Sequence, residues 1–206
     1  GEINTFRGNK NWMKVHEQEM DSDLFDNVEN LKPVVQPGTS DSAALDNVFE
    51  LLNVSGQPAP LAKLMLVPDA WSKKSKVLSK DHQQLFNFLN STMEPWDGPA
   101  AIAGTDNEWV IAANDRNGLR PLRYTITKDK FLFAGSETGM IKLNEKKILE
   151  KGRLGPGEII GVRIEKGKLF TNQKIKNYLA KEYKHFNNQI IDLDKKITVS
   201  NEKALF

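Results

Sequence analysis

Three histidines, at positions 16, 82 and 185, are the first side chains to weigh for chemistry. His16-Glu17-Gln18-Glu19-Met20 has the outline of a zinc-protease helix, in which two histidines four apart share one face and a glutamate serves as base. Met20 stands where the second histidine is needed, so the segment offers one ligand and no metal site is expected. The other two histidines are expected on solvent-facing helix positions. Gly135-Ser136-Glu137-Thr138-Gly139 misses the G-x-S-x-G spacing of a nucleophile elbow and reads as a strand-ending turn. Gly152-Arg153-Leu154-Gly155-Pro156-Gly157 lacks the Lys-Ser/Thr pair that reaches phosphates and Mg²⁺, and reads as a turn into a following hairpin. Cysteine is absent, so these 206 residues supply no thiolate nucleophile, no disulfide and no thiolate metal ligand.

Two other segments carry more information. In 115–123, Asp-Arg-Asn-Gly-Leu-Arg-Pro-Leu-Arg, Asn117-Gly118 offers a left-handed turn and Pro121 forces extension. The structural account is a tight loop whose guanidiniums are tied to carbonyls or to Asp115. The functional account is a support that braces a neighbouring substrate loop. In Thr39-Ser40-Asp41-Ser42, a carboxylate meets the unpaired N–H groups and dipole of a helix start. Asp41 is then an ordinary cap, or, if Ser40 caps, a fixed anion that suits the ammonium of an amino-acid substrate.

The elements that must position these residues follow from periodicity. Residues 9–20 read as a helix with Asn9 as N-cap, and 32–38 as an extended segment ending in a turn. Leu45, Val48, Leu51 and Leu52 recur at helical spacing until Gly56. Pro58 and Pro60 open a short helix closed by Pro68, and Ser79 caps another with Leu85, Phe86 and Leu89 inward. After Pro95 the period changes to two: 100–103 with 109–113, 123–127 with 131–134, and 159–164 with 169–171 form three hairpins. A last helix spans 173–185. Helices, then antiparallel strands, then a helix give an α+β class and exclude the alternating order of a doubly wound fold.

Composition narrows the function classes further. A net charge of +2 with 27% charged residues gives no basic face for nucleic acid or for an acidic membrane surface. No apolar run approaches the roughly 18 residues of a membrane helix, and the opening residues lack a signal-peptide profile. A cysteine-free chain suits a reducing compartment, and a cytoplasmic location is expected.

The strings Gly1-Glu2-Ile3-Asn4-Thr5-Phe6-Arg7-Gly8-Asn9-Lys10-Asn11-Trp12-Met13, Ser40-Asp41-Ser42-Ala43-Ala44-Leu45-Asp46-Asn47, Glu94-Pro95-Trp96-Asp97-Gly98-Pro99-Ala100-Ala101 and 115–123 occur in this order. Together they resemble the class II glutamine amidotransferase domain of the glutamate synthase large subunit, over residues 1 to about 180. The resemblance implies an N-terminal-nucleophile hydrolase-like αββα fold, with antiparallel sheets sandwiched between helices, here incomplete. It divides the chain into 1–180, the C-terminal part of such a domain, and 181–206, the start of a linker. It also implies a reaction in which an N-terminal cysteine thiolate attacks the glutamine amide with its own α-amine as base. An Asn side chain and a Gly backbone N–H hold the oxyanion, and the ammonia travels to a flavin- and iron–sulfur-containing synthase region that makes glutamate from 2-oxoglutarate.

Carried onto this sequence, the resemblance makes Gly1 the oxyanion glycine through its backbone N–H. Glu2 lies beside it in the glutamine-binding segment, and Asp41 is the partner of the glutamine α-ammonium. Arg7, Asp115, Gly118 and Arg120 take supporting roles. The departures are equally plain: there is no cysteine, no asparagine before Gly1 and no upstream arginine for the glutamine carboxylate, and Thr5 cannot serve as an N-terminal nucleophile. The expectation is part of a glutaminase domain, inactive alone, that binds L-glutamine beside the missing N-terminal half and the synthase domains of a parent holding the flavin and iron–sulfur cluster. The alternative is a noncatalytic glutamine-binding or domain-completing module, whose uncovered strand edges would also allow pairing with a second copy.

Overall fold

The structure is a computed structural model that describes residues 1–69 and 79–184. Four helices come first: α1 (Phe6–His16), α2 (Asp41–Val54), α3 (Ala59–Leu66) and α4 (Lys80–Thr92). Seven strands follow: β1 (Ala101–Thr105), β2 (Trp109–Asn114), β3 (Arg123–Thr127), β4 (Leu132–Gly135), β5 (Ile148–Arg153), β6 (Ile159–Arg163) and β7 (Lys168–Phe170). Helix α5 (Asn172–Glu182) closes the described part. The strands form two antiparallel sheets, ordered β1-β2-β6-β7 and β4-β3-β5, with helices flanking them. The α+β class is as expected.

Strand alternation explains the layering, because successive side chains leave opposite faces of a sheet. On β2, Trp109, Ile111 and Ala113 enter the main core with Ile159 of β6, while Ala112 and Ile160 face the other way. The main core is shared with α2, α3, α4 and α5. The smaller one joins Ala112 and Ile160 to Leu122 and Leu154, and so to the second sheet. Trp109 is fully buried and meets Phe170 edge-on at 4.9 Å and Tyr178 at 5.7 Å. That aromatic contact ties β2, β7 and α5 together.

Local chemistry sets the helix that matters most for the site. Ser40 caps α2, its Oγ accepting from Ala43 N at 3.2 Å, and Gly56, at φ +89°, ends it. Helix α3 is buried along its whole length between α2 and β2. Ser79 caps α4, as its sequence position predicts.

Four expectations need correction. Helix α1 runs Phe6–His16 from an N-terminal boundary at Thr5, not from an Asn9 cap over 9–20. Asn9 is buried inside the helix, where its amide donates to Pro95 O at 3.0 Å and its oxygen accepts from Thr5 Oγ1 at 2.6 Å. His82 is not on a wet face: it is 4% exposed, because positions 82, 85, 86 and 89 form one helical stripe. Strand β5 was not foreseen, and residues 152–153 belong to it rather than to a turn. The last helix starts at Asn172 and ends at Glu182. His185 and most of the expected linker, 185–206, lie outside the described residues.

Candidate functional site

The start of the chain is seated by main-chain bonds on the segment before β1. Glu2 N donates to Pro99 O at 3.0 Å, Asn4 N to Asp97 O at 2.8 Å, and Asp97 N to Thr5 Oγ1 at 2.9 Å. The approach is so close that a Cβ on Gly98, whose φ is +156°, would fall on the Glu2 carbonyl oxygen. Only glycine fits there. Gly1 packs closely too, since a Cβ at that position would sit 3.1 Å from Ala100 Cβ. Trp96 anchors the segment from below, fully buried and donating through its backbone N to Leu66 O at 2.7 Å.

Asp41 is the first residue of α2, so its carboxylate projects from the helix start while Ser40 does the capping. Its Oδ2 accepts from Ile3 N at 2.5 Å and its Oδ1 from Ser42 N at 2.8 Å. These two backbone donors hold the carboxyl below the usual aspartate range. A carboxylate has room for about four donors, so lone pairs remain for a cation. Asp41 is thereby a fixed anion bonded to Ile3, two residues along the chain from Gly1.

The 115–123 loop joins the same place from the other side. Asp115 N donates to Ala100 O at 2.8 Å, and Ala100 N returns a bond to Asp115 Oδ2 at 3.2 Å. The 1%-exposed carboxylate also accepts from Asn117 N at 2.9 Å, Leu119 N at 3.0 Å and Arg120 N at 3.1 Å. Burial pushes this carboxyl up, but the backbone donors outweigh it and the net direction is down. The guanidiniums are not what ties Asp115. Gly118, at φ +66° and pressed on Pro156, curls the loop so that successive N–H groups converge on the carboxylate.

Between α2, α3 and β1 lies a cavity of 430 Å³ bordered by Gly1, Ile3, Ser42, Asp46 and Lys63. That volume suits an amino-acid-sized ligand. Asp41 stands just outside it, its neighbour Ser42 on the wall. Ser42, Asp46 and Phe49 share one helical stripe, and Phe49 reaches Gly104 on β1. Burial raises the Asp46 carboxyl. Lys63 is 1% exposed, and burial pushes its amine down to about 8 despite the carboxylates of Asp69 and Asp115 nearby.

The structure therefore brings Gly1, Glu2, Asp41, Asp115 and Gly118 into one assembly. Arg120 joins it through its backbone N–H alone, and Arg7 is an exposed residue of α1. His16 pairs with Glu94 at 2.7 Å, which fastens the end of α1 to the segment carrying Trp96 and Gly98. Sequence reasoning missed Asp46, Lys63 and Gly98. A lysine inside the apolar run 61–66 was the one available signal for Lys63. No cluster of three His, Asp or Glu groups fit for a metal occurs among the described residues. No helix among them is long and apolar enough to cross a membrane.

Comparison with known proteins covers most of the chain. It is 52% identical over 181 residues to the glutamate synthase [NADPH] large chain of Azospirillum brasilense, covering 87% of this chain and 12% of that protein. The glutamate synthase [NADPH] large chain of Bacillus subtilis is 39% identical over 184 residues, covering 89% and 12%. The glutamate synthase [NADH] of Saccharomyces cerevisiae is 41% identical over 198 residues, covering 94% and 9%. The chain thus spans about a tenth of the length of these relatives and resembles their glutaminase part. A family model described as glutamine amidotransferases class-II matches residues 1–188, and the chain belongs to that family.

Proposed function

We propose that this chain forms the substrate-holding side of the glutaminase domain of a glutamate synthase, the domain that frees ammonia from glutamine for glutamate synthesis from 2-oxoglutarate. The observation that carries this reading is the Asp41 carboxylate, fixed by Ile3 N and Ser42 N beside Gly1 at the edge of an amino-acid-sized cavity. In this reading Asp41 receives the α-ammonium of L-glutamine through its remaining lone pairs. The Gly1 backbone N–H faces the oxygen that becomes negative when the amide is attacked. Glu2 keeps that strand on Pro99, and Asp115 with Gly118 and Arg120 holds Ala100 opposite Gly1.

No cysteine in these 206 residues can attack the amide, so the nucleophile belongs to the missing N-terminal half of the domain. An iron–sulfur cluster is held by cysteine thiolates, and this donor set is lacking too. In this reading the flavin and the cluster are carried by the synthase domains of the parent. The isolated chain is expected to show only background glutaminase turnover, because members of a catalytic unit lose activity together. Calorimetry tests the substrate role: glutamine binds the wild type and loses at least tenfold in affinity in Asp41→Ala. Equal affinity in the two removes Asp41 from the site, and robust turnover by the isolated chain sinks the whole reading.

A second reading is a noncatalytic, domain-completing module. It is favoured by β1, which pairs only with β2 and leaves its other edge open among the described residues, next to the cavity. Light scattering separates the readings: a self-associating chain without glutamine affinity fits the module.

A further inference from the structure

A buried lysine is costly unless its charge does something, and Lys63 has no part in the reading above. It lies mid-way along α3 in the run Leu61-Ala62-Lys63-Leu64, is 1% exposed, and borders the cavity. Its Nζ donates to Gly157 O at 3.1 Å. Gly157 N in turn donates to Asp115 O at 2.7 Å. Asp115 holds Ala100 by a bond in each direction, and Ala100 is what Gly1 rests on.

We propose that Lys63 is a positioning residue for the glutamine cavity: through the Gly157 carbonyl it fixes the 155–158 turn, and through Asp115 that turn fixes the wall facing Gly1. The idea rests on the reading of the cavity given above. Helix α3 is buried along its whole length, so the lysine is a strut from a core element to the turn that carries Gly157. Its charge is faced by Asp69 in the segment after α3, by Lys176 on α5 and by Asp115 after β2. Asp69 pairs through Oδ2 with Lys176 Nζ and its Oδ1 has no hydrogen-bond partner, while Lys63 donates to Gly157 O.

Lys63→Met keeps the shape and removes the donor. Hydrogen exchange of this variant is expected to show the amides of Ala100, Leu119 and Arg120, all donors to Asp115, losing at least tenfold protection relative to α2 amides. The melting temperature should stay near that of the wild type, and glutamine affinity should fall about tenfold. Unchanged protection at those three amides, a loss spread evenly over the protein, or unchanged glutamine affinity overturns the proposal. Should the variant fail to fold, the wild type decides: corrected for intrinsic rates, the same amides lose about threefold protection relative to α2 between pH 7 and 9.5, as the lysine becomes a neutral donor. A flat profile overturns it. The exchange measurements need no ligand, so a wild type that ignores glutamine refutes the cavity reading separately from the strut.

Discussion

Lys63 also makes a quantitative prediction about pH. Its amine titrates at about 8 in the folded chain against 10.5 in an unfolded one, the shift being caused first by burial. The difference is roughly 2.5 units, or about 3 kcal/mol of strain carried while the amine is charged. The sign follows from proton counts. Between pH 8 and 10.5 the unfolded chain holds the proton and the folded chain has released it, so stability rises with pH across that window. In Lys63→Met this rise vanishes. At pH 7 the variant gains the relieved burial cost and loses about 1–3 kcal/mol for leaving Gly157 O unpaired, so the two proteins should unfold at similar urea concentrations. By pH 10 the wild type should have gained about 2–3 kcal/mol on the variant. Urea unfolding of both proteins at pH 7, 8, 9 and 10 gives the double difference, which cancels lysines and tyrosines titrating elsewhere. A difference constant to within about 0.5 kcal/mol, or one of opposite sign, would refute the reasoning; the second result would mean that Asp69 and Asp115 prevail over burial.

Other substitutions test the rest of the assembly. Asp115→Ala removes the buried acceptor shared by four backbone N–H groups; a cost of about 3 kcal/mol is expected, seen as a fall of roughly 6–12 °C in thermal unfolding. Gly98→Ala drives a methyl into the Glu2 carbonyl, so the amides of Glu2 and Asn4 should exchange freely at a cost above about 2 kcal/mol, and retained protection would contradict the packing. Asp41 has a lowered pKa, so its contribution is present at neutral pH and fades as pH falls through its folded value below 3.8. Wild type and Asp41→Ala should differ in urea midpoint at pH 7, and the difference should shrink as the pH is taken below 3.8.

Much of this was legible in the residues. Ser40, Gly56 and the spacing of Leu45 and Val48 define α2 by local rules, and the Asn117-Gly118 turn announces its own geometry. The three hairpins were readable because turn residues separate alternating strands. Strand β5 was not, because its burial does not alternate: Leu149, Glu150 and Lys151 in succession are exposed on an edge strand. The start of α1 was missed because Thr5 and Asn9 spend their side chains on a segment about ninety residues away, a debt that no local pattern records. Asp41 and Asp115 were each singled out from local chemistry. That their partners would be Ile3 N and Ala100 N required the tertiary fold.

Four of the bonds that join the distant segments share one property: Glu2 to Pro99, Asn4 to Asp97, Ile3 to Asp41 and Ala100 to Asp115 all use main-chain amides as donors. Amide donors are the same whatever side chain the residue bears. The scaffold around Gly1 can therefore accept wide variation at the exposed Glu2 and Asn4 while resisting change at the buried Ile3, at the few acceptors and at Gly98. Redesign of ligand preference should accordingly begin at Ser42, Asp46 and the β1 wall, whose side chains can be exchanged without unfastening the frame.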